Sequence, residues 1–308
     1  MPVEIIKERY NAPVNTVEIG RPGAKQVKIG GQTGFPFLFD EGKMPNPPVI
    51  AYEVPDCTPD DWPEGLLEPY HDCVKDPVKW AKKCADEFGA EILCVKAQSM
   101  HQDYGSRPVD EAVRIVREIA DAVKLPLIVV GCGDDERDNE FMPKLSQALK
   151  GENCLLGLAT QANYKTLAAT CLVDGHFIIA DSPIDVNIAK QVNILIGDMG
   201  FDTNKIVMHP TTTSLGYGME YVYSIMERSR LAAFMGDKML AMPFIVFVGQ
   251  ETWKVKEAKD FGVVQGINWE ITTSVAMLQA GADLIVMRHP DAAGSVKRYI
   301  AALTGGVR

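Results

Sequence analysis

No stretch of this 308-residue chain comes near the ~20 consecutive apolar residues that a bilayer-spanning helix needs. Its first residues, MPVEIIKERY, lack the basic-then-apolar order of a secretory signal. Both absences predict a cytoplasmic protein with no membrane partner. Positive charge is scarce as well: 31 Lys and Arg stand against 41 Asp and Glu, for a net charge of −10, and no basic run occurs. Nucleic-acid binders turn a basic face toward phosphates, so no nucleic-acid partner is expected.

The seven cysteines include no C-x-x-C pair and no ferredoxin spacing, so this chain is expected to carry no iron–sulfur cluster of its own. Cys94 and Cys154 stand in apolar runs and Cys84 and Cys171 in helical patterns, the usage of buried thiols in a reducing compartment. Other signatures are missing too. There is no G-x-S-x-G elbow for a nucleophilic triad. GCGDDERD (131–138) lacks the third glycine of a dinucleotide fingerprint and reads as loop chemistry. A metal site built on His209 and His289 would have to take its third ligand from Asp181 or Asp291, and none is expected. Lys96 is the one strand-end lysine placed for a Schiff base, which is weak support by itself. DGHFII (174–179) begins like the D-x-H-x-x-G lower-ligand motif of cobalamin domains, but Ile179 stands where its glycine should be, just ahead of a strand. A sugar-phosphate barrel enzyme would want a Gly-rich cradle after its last two strands, and GQETWK and RHPDAAG offer little of one.

What the chain does contain is alternation. Eight β-branched apolar runs, VIAYEV (49–54), EILCVKA (91–97), LPLIVVG (125–131), CLLGLAT (154–160), HFIIAD (176–181), KIVMHP (205–210), FIVFVG (244–249) and DLIVMR (283–288), are each followed by a stretch of helical periodicity. The helical stretches span 76–89, 107–124, 139–151, 163–175, 183–200, 218–234, 268–282 and 291–305. Eight units of about 32 residues fill the ~250 residues typical of a (β/α)8 TIM barrel, whose strands are buried on both faces and read as continuous apolar runs. The predicted architecture is therefore an α/β TIM barrel over 49–308. Residues 1–48 form an extension of the same domain: VNTVEIG and KQVKIGG pair as a hairpin across RPGA and close the bottom of the barrel. FPFLF (35–39) either packs on the barrel or meets another chain, and the long first loop, 56–76, is functional or interfacial.

A TIM barrel builds its active face at the carboxyl ends of its strands. The residues there are Gln98, Ser99 and Asp103; Gly131, Gly133 and Asp134; Thr160, Gln161 and Asn163; Asp181 and Ser182; His209, Thr211, Thr212 and Thr213; Gln250 and Glu251; and Arg288, His289 and Asp291. This rim is rich in amides and hydroxyls and poor in paired acids and bases. His209 and His289 precede prolines and could simply shape turns, and the threonines could cap the next helix.

The strings GQTGFPFLFDEGKMPNPPVIAYEVPD, CVKAQSMHQDYGSRPVDEAVR, VVGCGDDERD and MHPTTTSLGYGMEY, and the order they occur in, closely resemble the small (delta) subunit of the corrinoid iron–sulfur protein of the reductive acetyl-CoA pathway. The resemblance covers essentially the whole chain. It implies a non-catalytic carrier subunit, paired with a large subunit that bears the [4Fe–4S] cluster and a mobile cobalamin domain. Cobalamin would be shared between that domain and the top of this barrel. The complex would take a methyl group from methyltetrahydrofolate through a methyltransferase, hold it as methyl-Co(III), and deliver it to carbon monoxide dehydrogenase/acetyl-CoA synthase. Corrin side arms are mostly amides, so neutral donors and acceptors should meet them. The expected contacts are Gln98, Ser99, Gly133, Thr160, Gln161, Asn163, Asp181, Ser182, His209, Thr211, Thr212, Gln250 and His289. The alternative is a pterin-dependent methyltransferase that itself binds methyltetrahydrofolate, with Asn163 and Asp181 on the pterin ring.

Overall fold

The computed structural model describes residues 7–38 and 41–305, so Phe39 of the FPFLF segment lies outside the described residues. Two short strands, β1 (Thr16–Ile19) and β2 (Val27–Gly30), pair antiparallel. Eight parallel strands follow: β3 (Val49–Pro55), β4 (Ile92–Lys96), β5 (Leu127–Val130), β6 (Leu155–Ala159), β7 (Phe177–Asp181), β8 (Ile206–His209), β9 (Ile245–Val246) and β10 (Leu284–Met287). Their order is β8-β7-β6-β5-β4-β3-β10-β9, and a parallel bridge from Met208 to Phe244 brings the two end strands together. This is the predicted TIM barrel. Among the described residues no helix is long and apolar enough to cross a membrane.

Successive side chains on a strand point to opposite faces, and the barrel sorts its core by that parity. Val49 and Ala51, Ile92 and Cys94, Ile128 and Val130, Phe177 and Ile179, and Leu284 and Val286 share one interior cluster. Their strand neighbours, such as Ile50, Tyr52, Leu93 and Ile178, join the layer between strands and helices. The hairpin completes the interior: Val17, Ile19, Val27 and Ile29 belong to the same inner cluster. Asn15 N–H donates to Ala241 O (2.6 Å) and Gly20 N–H to Asn153 O (3.0 Å), both carbonyls preceding a strand, so the hairpin seals the amino-terminal end as expected. Gly30 turns the chain out of β2 at φ +83°, and a Cβ there would sit 2.0 Å from Asn15 O.

The helices fall where the periodicity puts them, with two differences. The helix after β5 is Asp135–Ala148, so the last four residues of GCGDDERD form its first turn. Asp134 caps it by accepting from the N–H groups of Glu136 (3.0 Å) and Arg137 (3.1 Å), and that cap starts the helix ahead of the apolar periodicity. In FIVFVG only Ile245–Val246 is strand, because a short helix, Val248–Thr252, begins at once. A further short helix, Lys256–Asp260, precedes the helix Val263–Gln279, which starts before the expected 268.

The two aromatic segments are both packed. Phe35 is buried against Val14 and Phe234, so this part of FPFLF packs on the barrel, while Phe37 is 42% exposed. The long first loop carries the buried Trp62 and Tyr70. Tyr70 stacks on Trp80 at 4.4 Å, and its hydroxyl donates to Arg288 O (2.6 Å). The loop is therefore fastened to the far end of the chain. The thiols of Cys84, Cys94, Cys154 and Cys171 are buried, as the sequence predicts.

Candidate functional site at the carboxyl end of the barrel

Carrying the interior parity one step beyond the apolar layers reaches Glu53 on β3, Lys96 on β4, Asp181 on β7, His209 on β8 and Arg288 just past β10. The upper end of the barrel interior is therefore polar. Above it lies a cavity of about 340 Å³, bounded by Lys96, Asp135, Asn163, Asp181, His209 and Gln250, with Val130, Leu158 and Phe247 as its apolar surface. Gly131, Cys132, Gly133, Asp138 and Thr160 complete the wall.

Asp181, His209 and Thr212 form a hydrogen-bonded relay. A carboxylate only accepts, so His209 Nδ1 carries the proton and donates to Asp181 Oδ1 (2.6 Å). His209 Nε2 then accepts from the Thr212 hydroxyl (3.0 Å), and Thr212 Oγ1 accepts from Phe247 N–H (2.9 Å). The Phe247 ring meets the imidazole edge-on at 4.8 Å. Each group in the relay is occupied, and together they tie the ends of β7, β8 and β9.

The other titratable groups nearby are also committed. Arg288 clasps Glu53 at two points, Nε to Oε2 at 3.1 Å and Nη2 to Oε1 at 2.7 Å, with its guanidinium over the Trp62 ring. Burial works to raise the Glu53 carboxyl, but Arg288 and Lys96 outweigh it and hold that carboxyl below its usual range. Glu270 is buried and accepts from Arg288 N–H (2.6 Å), His289 N–H (3.2 Å) and Trp253 Nε1–H (2.9 Å), and burial pushes it up to about 7 against those bonds. Asp56 holds the backbone N–H of Ser99 at 2.8 Å and the Ser99 hydroxyl, while burial raises its pKa. Asp138 accepts from the N–H groups of Cys132 (2.8 Å) and Gly133 (3.0 Å), so a carboxylate on the helix holds the glycine loop open at the cavity edge.

Of the expected contacts, Gly133, Thr160, Asn163, Asp181, His209 and Gln250 come together around the cavity. The rest do not. Gln98 and Ser99 are buried in the turn Gln98–Met100, where Gln98 Nε2 faces Cys57 Sγ at 3.8 Å and Ser99 serves Asp56. Gln161 is exposed outside the cavity wall. Ser182 is buried, its carbonyl accepting from the Thr211 hydroxyl at 2.7 Å. That bond occupies Thr211, which adopts φ +65°; the following helix is capped by Gly218, without a side-chain bond. Thr212 lies inside the relay. His289 sits away from the cavity as the N-cap of helix Pro290–Leu303, stacked on Trp253, which is the turn-shaping role.

Sequence reasoning passed over Glu53, Asp135, Asp138 and Phe247, and weighed Lys96 only as a Schiff-base candidate. Strand parity was the available signal for Glu53 and Lys96. Lys96 Nζ donates to Gln250 Oε1 at 2.6 Å, and burial holds its pKa below the ordinary value, with Glu53 opposing. Among the described residues no group of three or more His, Cys, Asp or Glu side chains is placed to hold a metal ion.

Fold and site define a parallel (β/α)8 barrel with a hairpin-sealed base and an open polar mouth. Solved dihydropteroate synthases share that architecture: the Xanthomonas albilineans enzyme with 4-aminobenzoic acid superposes with a TM-score of 0.60 over 87% of this chain and 96% of that one, at 15% identity. The Thermus thermophilus enzyme gives 0.56 over 88% and 99%, at 15% identity. At such identities the likeness shows the fold alone. The family is fixed by sequence: the model for the CO dehydrogenase/acetyl-CoA synthase delta subunit matches residues 16–296, and the chain belongs to that family. Acetyl-CoA decarbonylase/synthase complex subunit delta of Methanocaldococcus jannaschii is 30% identical over 96% of this chain and 76% of its own length. The Methanopyrus kandleri subunit is 34% identical over 91% and 71%, and the Archaeoglobus fulgidus subunit 31% over 99% and 71%.

Proposed function

We propose that this chain is the small subunit of a heterodimeric corrinoid iron–sulfur protein, a carrier that helps bind and cover cobalamin at the top of its barrel. Its partners are a large subunit bearing the [4Fe–4S] cluster and cobalamin domain, a methyltetrahydrofolate:corrinoid methyltransferase, and carbon monoxide dehydrogenase/acetyl-CoA synthase. A bound corrinoid supplies the metal centre that accepts and gives up the methyl group. This chain's residues supply surface, orientation and exclusion of water.

The observation that carries the reading is how the barrel mouth uses its titratable groups. Asp181 and His209, Glu53 and Arg288, Asp56 and Ser99, and Asp138 with its loop bond one another and fix the framework. What lines the opening beside them is the hydroxyl of Thr160, the amides of Asn163 and Gln250, and the charged side chains of Lys96 and Asp135. That donor set fits the amide-rich periphery of a corrin. The test is co-expression with the large subunit, affinity capture of this chain, and an absorption spectrum of the captured complex. A stoichiometric partner and a corrinoid spectrum are expected; a chain that remains alone and colourless with the partner present would overturn the proposal.

The pterin-dependent methyltransferase remains the second reading, because Asn163 and Asp181 do line one cavity. Methyl transfer from methyltetrahydrofolate to free cobalamin by the purified chain alone would establish it in place of the carrier reading.

A further inference from the structure

His176, the histidine of DGHFII, lies at the amino-terminal end of the barrel, just ahead of β7 and opposite the polar mouth. It is fully buried, and both ring nitrogens are bonded. A backbone N–H can only donate, so Nδ1 accepts from Cys154 N–H (3.1 Å). The proton is then on Nε2, which donates to Ser146 O (3.1 Å). This geometry fits a neutral imidazole. An imidazolium would turn a second N–H toward that of Cys154.

The peptide group held by His176 also holds the hairpin. Its N–H belongs to Cys154 and its C=O to Asn153, and Asn153 O accepts from Gly20 N–H (3.0 Å). The N–H and C=O of a trans peptide point in opposite directions, so one rigid plane is clamped between the ring and the hairpin. The other ties of the hairpin turn to the barrel base are long ones: Arg21 reaches Glu152 at 4.0 Å, and Lys25 Nζ reaches Ala90 O at 3.4 Å. A cavity of about 160 Å³ lies between Arg21 and Lys25 on the hairpin and Pro126, Glu152 and Cys154 on the barrel. The far end of the hairpin is anchored separately, by Asn15 N–H on Ala241 O.

The charged groups around His176 are each engaged. Asp174, at the end of the preceding helix, accepts from the Ser146 hydroxyl (2.7 Å) and pairs with Lys150 (3.3 Å). Glu152 lies 3.5 Å from Arg117, and Lys205 Nζ donates to Gly175 O (3.5 Å). Burial raises the thiols of Cys154 and Cys171, which stay neutral. It also pushes His176 below its ordinary value, against the Ser146 carbonyl and the carboxylates of Asp174 and Glu152, with Lys205 adding to the depression.

We propose that His176 is an acid-sensitive latch on the hairpin: protonating Nδ1 turns the Asn153–Cys154 peptide over, so that the Asn153 carbonyl accepts from the ring and Gly20 N–H loses its partner. The latched form resists the proton that the open form accepts. The latch therefore holds above the ordinary imidazole value of about 6.5 and weakens as pH falls below it. The base of the barrel then loosens at the Gly20 end, while the Asn15 end and the eight strands stay closed.

Amide exchange of the full-length chain, corrected for the intrinsic pH dependence of exchange, tests this between pH 7.5 and 5.5. Protection of Gly20 is expected to fall about tenfold over that range, the ratio given by a group that titrates near 6.5 in the open form alone, with Asn15 unchanged. Long-range ¹H–¹⁵N spectra should show the Nε2–H tautomer of His176 at pH 7.5. His176→Gln has no titrating ring, so its Gly20 protection should not vary with pH, and Glu152→Gln should keep the tenfold fall. Circular dichroism verifies that both variants are folded, and the unaltered chain gives an answer that needs neither. Constant Gly20 protection from pH 7.5 to 5.5, an equal fall at Asn15, or an Nδ1–H tautomer would overturn the proposal. So would a fall that persists in folded His176→Gln, or one that vanishes in Glu152→Gln and so belongs to its pair with Arg21.

Discussion

Glu53 and Arg288 are 235 residues apart in the chain and meet at two points inside the barrel, at 2.7 and 3.1 Å, both nearly inaccessible to solvent. The pair joins the ends of the first and last barrel strands, which lie side by side, and Tyr70 and Glu270 hold the Arg288 backbone from either side.

Breaking that pair from one side should be severe. Arg288→Met leaves a buried carboxylate unpaired and is expected to cost about 3–5 kcal/mol in urea unfolding. The double variant Glu53→Leu with Arg288→Met should recover much of that loss. The Glu53 carboxyl is held below its usual range, so its stabilising contribution is present above the unfolded value and lost as pH falls through the folded one. The stability difference between the unaltered protein and Glu53→Gln should therefore shrink on acidification, and a difference constant from pH 7 down to 3 would contradict this assignment.

Glu270 should show the opposite sign. Its pKa is raised from 4.5 to about 7, so the folded state holds the proton more tightly than the unfolded state between those values. Its contribution to stability is largest below pH 4.5 and declines as pH rises toward 7. Chemical denaturation at intervals of half a pH unit should show this decline in the unaltered protein and a flatter profile in Glu270→Gln. That variant should also lose about 1–3 kcal/mol, because an amide cannot accept from all three N–H groups.

Gly131→Ala should damage one loop selectively. A Cβ at this position would lie 2.2–2.4 Å from the carboxyl atoms of Asp138, which must then release Cys132 and Gly133. A loss of about 2–4 kcal/mol is expected for two buried charge-assisted bonds. Hydrogen exchange at the Cys132 and Gly133 amides should accelerate before exchange in β5 changes; uniform acceleration through the barrel would mean the loop is not separately held.

The three neighbouring threonines should respond differently to valine. Thr212→Val removes the hydroxyl end of the Asp181–His209–Thr212 relay and leaves Phe247 N–H without its acceptor, for an expected cost of about 1–3 kcal/mol. Thr211→Val loses one bond to the Ser182 carbonyl and keeps a β-branched residue at positive φ, so its cost is that of the single bond, about 0.5–1.5 kcal/mol. The Thr213 hydroxyl is buried without a partner among the described residues, so Thr213→Val should be neutral or slightly stabilising. Thermal melts of the three variants side by side check the ranking.

The sequence by itself determined the architecture. Apolar runs such as LPLIVVG and HFIIAD read as strands buried on both faces, and eight of them alternating with amphipathic helices match the length and pattern of a (β/α)8 barrel. The family was legible in strings such as MHPTTTSLGYGMEY, which runs from the end of a barrel strand through its loop into the next helix. Placement around the mouth was legible only in part. Being next to a strand end predicts nearness to the opening, which held for Asn163, Asp181 and Gln250. It does not predict direction, and Ser99, Ser182 and His289 stand at strand ends with their side chains spent on Asp56, a buried packing position and a helix cap. Tertiary structure alone decided that Asp138 reaches back to its own loop and that Glu53 finds Arg288. Such pairings depend on which strands closure makes neighbours and which parity points inward, and that is set by the whole barrel, not by any local stretch of chain.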